Sequence, residues 1–198
     1  MEIIIHRINK IAELKAIDPE FGVEIDIRTY DSDLILNHNP FQIGDRLVDY
    51  LDEYKHGLLV LNIKENGIED IVLDILKGYP AIKNYFLLDV EFPYIHAASK
   101  NRIKNLSIRY SEFESIETVK NCVGFLDWVW VDTFTQFPLD QYSINILKYF
   151  KTCLVCPERW ERPGDISLYQ RKLKKLDYQF DAVMTSQEFI PKWLDFKT

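Results

Sequence analysis

The sequence predicts a compact α/β fold, a (β/α)8 barrel of the TIM type in which some helices are short or missing. Eight short apolar, β-rich segments alternate with segments of helical periodicity almost to the end of the chain, a pattern typical of parallel strands joined by crossover helices. No glycine-rich turn follows the first strand, which disfavours an open dinucleotide-binding sheet. At 198 residues the chain is short for an eightfold barrel, and residues 1–198 are expected to form a single domain.

Each predicted strand is a run of aliphatic, β-branched or aromatic residues bounded by polar ones. The runs occupy residues 2–6, 21–29, 58–64, 85–91, 105–110, 125–132, 151–158 and 180–186. A further short run at residues 34–38 could extend the second strand as a small hairpin.

Apolar residues at helical spacing predict the longer helices between these strands. The segments with this spacing are residues 44–56, 67–79, 143–150 and 166–178. Residues 8–20 and 93–104 leave little room for a helix, and Tyr94 and His96 are expected in a loop.

Composition narrows the classes of function. The net charge is −7 and the pI is about 5.2, which argues against nonspecific nucleic-acid binding. An anionic ligand would therefore need local positive charge or a metal. No apolar run approaches the roughly 18 residues needed for a membrane span, and the first residues lack the apolar core of a signal peptide. A cytoplasmic protein without stable membrane insertion is expected.

The three cysteines are an odd number, which fits a reducing compartment. Cys153 and Cys156 form a C-x-x-C, but they lie three residues apart on a predicted strand and face opposite sides. Packed free thiols are therefore expected rather than a redox pair.

The second strand carries an unusual set of polar residues. In residues 23–28, VEIDIR, the aliphatic side chains share one face, while Glu24, Asp26 and Arg28 share the other. In a parallel barrel the outer face packs against helices, so the polar face points to the axis near the carboxyl-terminal mouth. Buried carboxylates are costly unless they are paired or coordinated. Oxygen ligands suit Mg²⁺ or Ca²⁺ better than zinc.

Polar groups also end most other strands. The clearest are His6, Asn62, Lys64, Asp89, Arg109, Asp132 and Glu158. One polar residue at a strand end is ordinary, because the chain emerges into water there. Their recurrence on strand after strand favours a functional site at the barrel mouth.

Three elements of the sequence together resemble a known family. His6-Arg7 at the end of the first strand, Glu24-x-Asp26 on the second and His38 in NHNP resemble the glycerophosphodiester phosphodiesterases, of the phosphatidylinositol-phospholipase-C-like phosphodiesterase superfamily. The resemblance implies a (β/α)8 barrel, two catalytic histidines and a divalent cation held by carboxylates. It also implies cleavage of a phosphodiester with a small alcohol headgroup.

The resemblance continues on the third strand, with departures. Lys64 matches the lysine of the family's E-x-K motif, whereas Asn62 replaces its metal-binding glutamate. No glycine follows Arg7, and Asn39 replaces the acid beside the second histidine. Asp89, one strand further round, could supply the missing carboxylate.

The function implied is a metal-dependent phosphodiesterase acting on a small molecule with a glycerol- or sugar-like headgroup. The roles implied are acid/base catalysis by His6 and His38, phosphate binding by Arg7 and Lys64, and Mg²⁺ or Ca²⁺ binding by Glu24, Asp26, Asn62 and Asp89. One alternative is a catalytically degenerate barrel that binds a phosphorylated metabolite or a protein partner. Another is a metal-dependent hydrolase or lyase with a different substrate.

Overall fold

Eight parallel strands form the centre of the molecule in the computed structural model, which describes residues 1–196. The strands in chain order are β1 (Glu2–Ile5), β2 (Gly22–Tyr30), β3 (Asp33–Leu36), β4 (Asp45–Arg46), β5 (Leu59–Ile63), β6 (Tyr85–Leu88), β7 (Ser107–Tyr110), β8 (Trp128–Val131), β9 (Lys151–Val155) and β10 (Ala182–Thr185). All eight predicted strands are confirmed. The antiparallel hairpin of β3 on β2 is present as well, and β4 extends it.

The parallel strands follow one another around the barrel in the order β6-β5-β2-β1-β10-β9-β8-β7. The first and last of these lie side by side and are joined by a parallel bridge between Leu87 and Leu106. The Leu87 N–H also donates to the Asn105 carbonyl at 2.9 Å. The ring is thus completed by a narrow join rather than by a full ladder, and the predicted barrel is confirmed.

Helices surround the strands. They are α1 (Ile11–Leu14), α2 (Leu47–Glu53), α3 (Glu69–Lys77), α4 (Phe92–Lys100), α5 (Ile116–Asn121), α6 (Gln141–Leu147), α7 (Ile166–Leu176) and α8 (Ile190–Leu194). No helix among residues 1–196 combines the length and apolar character needed to cross a bilayer.

Besides the short α1, three helices lie outside the segments predicted to be helical, namely α4, α5 and α8. The single turn of α1 agrees with the prediction of a short helix, but the loop prediction for Tyr94 and His96 was wrong, since both lie in the nine-residue α4. Pro93 occupies the first turn of that helix, where a missing N–H costs nothing because the first amides have no intrahelical acceptor. Proline there marks a helix start, not a break.

Two apolar layers explain the alternation in β2. Val23, Ile25 and Ile27 belong to the outer core beneath the helices. A separate core fills the barrel interior, where Phe86 stacks on Trp128 with ring centroids 4.6 Å apart. Trp130 belongs to the same interior core. Glu24 and Asp26 have the inward parity of these residues, and the structure places both on a cavity at the mouth.

We expect the interior aromatic core to set much of the stability. Phe86 is 0% exposed, so Phe86→Ala should lower the free energy of unfolding by about 3–5 kcal/mol through lost burial and a residual cavity. Urea denaturation measures the change. The matched control is Phe41→Ala, because Phe41 is 98% exposed, and its effect should stay within about 0.5 kcal/mol. Equal effects of the two variants would contradict the assignment of Phe86 to the core.

Candidate active site

A cavity of about 310 Å³ opens at the carboxyl ends of the barrel strands. Its wall includes six of the residues predicted from the sequence, namely His6, Arg7, Glu24, Asp26, Asn62 and Lys64. They lie on or directly after β1, β2 and β5, which are neighbours in the barrel. The predicted polar cluster is therefore one site in space.

Glu24 is buried in the wall of this cavity and both of its oxygens are engaged. Oε1 accepts a hydrogen bond from the Asn62 amide at 2.9 Å, and Oε2 accepts one from the Arg7 backbone N–H at 2.8 Å. Arg7 presents that N–H from a left-handed conformation, φ 56°, which is uncommon for a residue other than glycine and often marks a functional site. Burial and the adjacent Asp26 raise the pKa of Glu24 to about 7.

Asp26 is held by an asparagine that sequence reasoning missed. Asn9 Nδ2 donates to Asp26 Oδ2 at 2.8 Å, and Asn9 Oδ1 accepts from the Asp26 backbone N–H at 2.8 Å. Arg7 Nε lies 3.5 Å from Oδ2, and Lys64 Nζ lies 3.2 Å from Oδ1. Asn9 lies in the segment after β1, and no local sequence pattern marks it.

The oxygen atoms of this cluster fit a hard divalent cation. Asn62 stands directly across from Asp26 in the β2–β5 register. Within residues 1–196 neither its buried Oδ1 nor Asp26 Oδ1 accepts a hydrogen bond. Asp26 Oδ1 lies 3.2 Å from the Lys64 ammonium. Two such oxygens beside the Glu24 carboxylate suit Mg²⁺ or Ca²⁺. Within the described chain no three His, Cys, Asp or Glu side chains gather as a metal site.

His6 lies over Glu24, and its side chain is only 15% exposed. Nε2 is 3.9 Å from Glu24 Oε2. Burial together with the Arg159 and Arg7 guanidiniums lowers the His6 pKa to about 3. The imidazole is therefore neutral near pH 7 and able to accept a proton.

The lowered His6 pKa predicts a pH dependence of stability. The unfolded chain binds a proton at His6 below pH 6.5, whereas the folded chain does not until about pH 3. Folding stability of the parent should therefore fall relative to His6→Asn as pH decreases through this window, with a slope up to about 1.4 kcal/mol per pH unit. Urea denaturation in chelator between these pH values measures it. The control is His96→Asn, at an exposed position of α4, and its curve of stability against pH should run parallel to the parent curve. If the curve of His6→Asn is also parallel to the parent curve, the low pKa assigned to His6 is contradicted.

The second predicted histidine lies beside the central cavity, not in its wall. His38 follows β3 and lines a neighbouring cavity of about 540 Å³, which shares Arg7 with the central one. Its Nδ1 is 3.1 Å from Asn39 Oδ1. The His38 carbonyl accepts hydrogen bonds from Arg28 Nε and Nη2 at 3.2 and 3.0 Å, so Arg28 anchors this loop instead of facing the cluster of acids.

Four cationic side chains line the central cavity, although the whole chain is acidic. Arg7 and Lys64 were predicted, whereas the sequence assigned no role to Arg109 and did not single out Arg159. Among residues 1–196 the Arg159 side chain makes neither a hydrogen bond nor an ion pair. It is therefore available to an anion. The strand-end pattern placed Arg109 at the mouth without a role, whereas Arg159 follows β9 in a 3₁₀ turn that strand alternation does not describe.

Arg109 spans the mouth between two carboxylates. Nη2 lies 2.6 Å from Asp89 Oδ1, and Nη1 pairs with Asp132. Asp132 Oδ1 also accepts from Trp160 Nε1 at 2.8 Å. Burial raises the Asp132 pKa, and Arg109 opposes that shift. The network orients Arg109 and the Trp160 ring at the cavity wall.

Asp89 is committed mainly to this network. It lies outside the wall of the central cavity, and its Oδ2 is 3.8 Å from Lys64 Nζ. Like Arg7 it has a left-handed backbone, φ 59°. The structure therefore brings Asp89 to the edge of the predicted metal site through Lys64, not into direct contact with Glu24 or Asp26.

Comparisons with known proteins agree on the fold. No protein-family model and no curated protein matches the chain in sequence. Among solved structures, a provisionally named glycerophosphoryl diester phosphodiesterase from Agrobacterium tumefaciens C58 superposes with a TM-score of 0.70 at 12% identity, covering 98% of this chain and 96% of its own. A phosphodiesterase from Oleispira antarctica in complex with the product sn-glycerol-3-phosphate gives 0.66 at 17% identity, covering 98% and 97%.

A glycerophosphoryl diester phosphodiesterase from Parabacteroides distasonis gives a TM-score of 0.59 at 11% identity, covering 92% of this chain and 81% of its own. At these identities the likeness establishes the fold. The fold implied by the sequence resemblance is thereby confirmed.

Proposed function

We propose that this protein is a metal-dependent phosphodiesterase that hydrolyses a phosphodiester with a small glycerol- or sugar-like headgroup. One observation carries the proposal: an acid and amide cluster, a neutral histidine and four cations converge on one cavity at the mouth of this barrel. Because the whole chain is acidic, this local excess of cations favours an anionic ligand. The sn-glycerol-3-phosphate bound to the O. antarctica phosphodiesterase supports a glycerol-like headgroup.

The phosphate group is held by cations in this proposal. Arg7 and Lys64 are fixed by Asp26 on one side, and Arg159 approaches from the loop after β9. Preorganised positive charge stabilises a phosphodiester most where negative charge grows in the transition state. Arg109 lines the same cavity but already pairs with Asp89 and Asp132. Its main role is therefore to hold the side chains of the cavity wall in place.

Glu24, Asp26 and Asn62 would hold the divalent cation, with Asp89 as the next carboxylate beyond Lys64. A bound cation supplies charge neutralisation at a phosphate oxygen. The amide of Asn62 contributes an oxygen without a charge. The chain therefore relies on two carboxylates for electrostatic attraction of the ion.

Proton transfer falls to the two histidines. Neutral His6 takes the proton of the attacking water or substrate hydroxyl as its oxygen bonds to phosphorus. His38 gives a proton to the alcohol oxygen as the second P–O bond breaks. Because His6 is neutral near pH 7, it is free to accept a proton and takes the role of base, which leaves the acid role to His38, at the neighbouring cavity beyond Arg7.

A panel of phosphodiesters tests the proposal, with glycerol, sugar and simple alkyl headgroups, each assayed with Mg²⁺, Ca²⁺ or chelator. Turnover that depends on the ion and favours the small polyol headgroups is expected. No turnover of any diester with any ion would remove the proposed activity.

The second candidate function is a binding barrel without turnover. One observation favours it: the Lys64 ammonium already lies 3.2 Å from Asp26 Oδ1, where it can neutralise the acid without a metal. Calorimetric titration with Mg²⁺ and Ca²⁺ discriminates the two, because only the enzyme requires cation binding at Glu24.

A further inference from the structure

Asp26 lies at a gap between two ladders of hydrogen bonds along one edge of β2. On this edge β1 pairs with β2 as far as Ile5 and Val23, and β3 pairs with it from Ile27 onward. Asp26 stands between these two stretches and is buried. A buried backbone N–H at such a gap costs free energy unless another group accepts its hydrogen bond.

The side chain of Asn9 fills this gap. Its Oδ1 accepts a hydrogen bond from the Asp26 backbone N–H at 2.8 Å, and its Nδ2 donates one to Asp26 Oδ2 at 2.8 Å. One planar amide thus serves the backbone and the carboxylate of the same residue. An ionised aspartate has no donor, and a serine has a single oxygen for both partners. The position therefore needs the paired acceptor and donor of an amide.

The contact with Asn9 decides which oxygen of Asp26 is left for a cation. Arg7 Nε lies 3.5 Å from Oδ2, so Asn9 and Arg7 engage the same oxygen. Within residues 1–196 the other oxygen, Oδ1, accepts no hydrogen bond, and neither does the buried Oδ1 of Asn62 across the strand pair. Rotation about the last side-chain bond of an aspartate is soft and roughly twofold. The Asn9 amide therefore fixes the orientation of the free oxygen.

Asn9 is not in the wall of the central cavity. It is half-buried and lines the neighbouring cavity, which also contains His38. An effect of Asn9 on a cation bound in the central cavity must therefore pass through Asp26.

We propose that Asn9 is a positioning residue for the divalent cation, which holds Asp26 so that its Oδ1 stays free for the ion beside Asn62. This inference rests on the proposed metal-dependent function and deepens it. Mg²⁺ demands near-ideal octahedral geometry, whereas Ca²⁺ accepts a flexible arrangement of ligands. A carboxylate that is oriented in advance therefore favours Mg²⁺ binding more than Ca²⁺ binding.

Cation binding to Asn9→Ala tests the inference without requiring turnover. Calorimetry in the absence of substrate should show that the Kd for Mg²⁺ rises at least about tenfold, the usual effect of removing a group that orients a metal ligand, and that the Kd for Ca²⁺ rises only about threefold. Unchanged Kd values for both ions would overturn the inference. A rise by the same factor for both would indicate a general disturbance of the cluster and would also contradict it.

Asn84→Ala is the matched control. The Asn84 amide donates to the Glu2 carboxylate at 3.0 and 3.2 Å, so the same kind of contact is removed, but at the amino ends of the strands. Its Kd values should stay within about twofold of the parent values. A rise as large as in Asn9→Ala would assign the effect to lost stability and contradict the inference. If Asn9→Ala does not fold, Asn9→Ser decides in its place, since one hydroxyl cannot hold both Asp26 groups.

Hydrolysis assays separate this inference from the function beneath it. The Mg²⁺ concentration that gives half-maximal hydrolysis by Asn9→Ala should rise by the same factor as the Kd. A half-maximal concentration equal to that of the parent, with a lower kcat, would assign Asn9 to the chemical step and contradict the inference. A parent that binds cations but hydrolyses no diester contradicts the proposed function, while the Kd values still decide the role of Asn9. A parent that binds neither ion contradicts both.

Discussion

Replacing His6 with asparagine is expected to lower kcat/KM for the best phosphodiester by about 100- to 10,000-fold, the usual contribution of a positioned acid or base. Asparagine keeps a polar side chain of similar width but cannot take a proton. His6 is neutral near pH 7, because burial and two guanidiniums lower its pKa, so the parent can accept a proton there. Steady-state kinetics with saturating divalent ion measure it.

His96→Asn serves as the control for His6→Asn, because His96 is exposed on α4 and its replacement should leave kcat/KM unchanged. Circular dichroism and thermal unfolding establish that His6→Asn remains folded. If a folded His6→Asn retains the parent kcat/KM, proton transfer by His6 is ruled out.

Replacing Glu24 with glutamine is expected to weaken Mg²⁺ or Ca²⁺ binding by at least about 100-fold and to remove turnover with it. The amide keeps the shape of the side chain but lacks the charge that the cation needs. Because burial and Asp26 raise the Glu24 pKa to about 7, cation binding should release a proton near neutrality. The parent affinity should therefore rise as pH increases through 7, and Glu24→Gln should lose that dependence.

Calorimetry in two buffers of different ionisation enthalpy measures both the affinity and the released proton. Asn62→Asp provides the opposite change at the same cluster, since a third carboxylate should tighten cation binding by about tenfold. Asn66→Asp adds the same charge at an exposed position and should have little effect. A parent that binds no cation, or binds one equally well as Glu24→Gln, supports the binding barrel over the enzyme.

Much of the fold follows from local patterns. The eight strands were predictable because each is a short β-rich run with one or two apolar faces, and α7 because its apolar residues recur at helical spacing. The helix α4 was not predictable in this way, because Pro93 resembles a helix breaker unless its position in the first turn is known. The narrow join between Leu87 and Leu106 depends on how far the other strands tilt, which no single segment encodes.

The candidate site also has a part that local patterns predict and a part that they do not. Strand alternation places Glu24, Asp26, Asn62 and Lys64 on one face, and parallel strands bring those faces to one mouth. The support of Asp26 by Asn9, the pairing of Arg109 with Asp89 and the free guanidinium of Arg159 arise from segments between strands. Their side chains meet only after the loops close over the mouth. The position of His38 outside the central cavity has the same origin.

By itself the sequence determined the order of strands, the inward parity of the acids and the presence of a polar mouth, because the two-residue period of a strand acts over a few neighbours. Only the tertiary structure decided which cations remain unpaired, which acids are neutralised and that a second cavity adjoins the first. Those properties depend on distances between loops remote in sequence, where a shift of a few ångströms makes or breaks an ion pair.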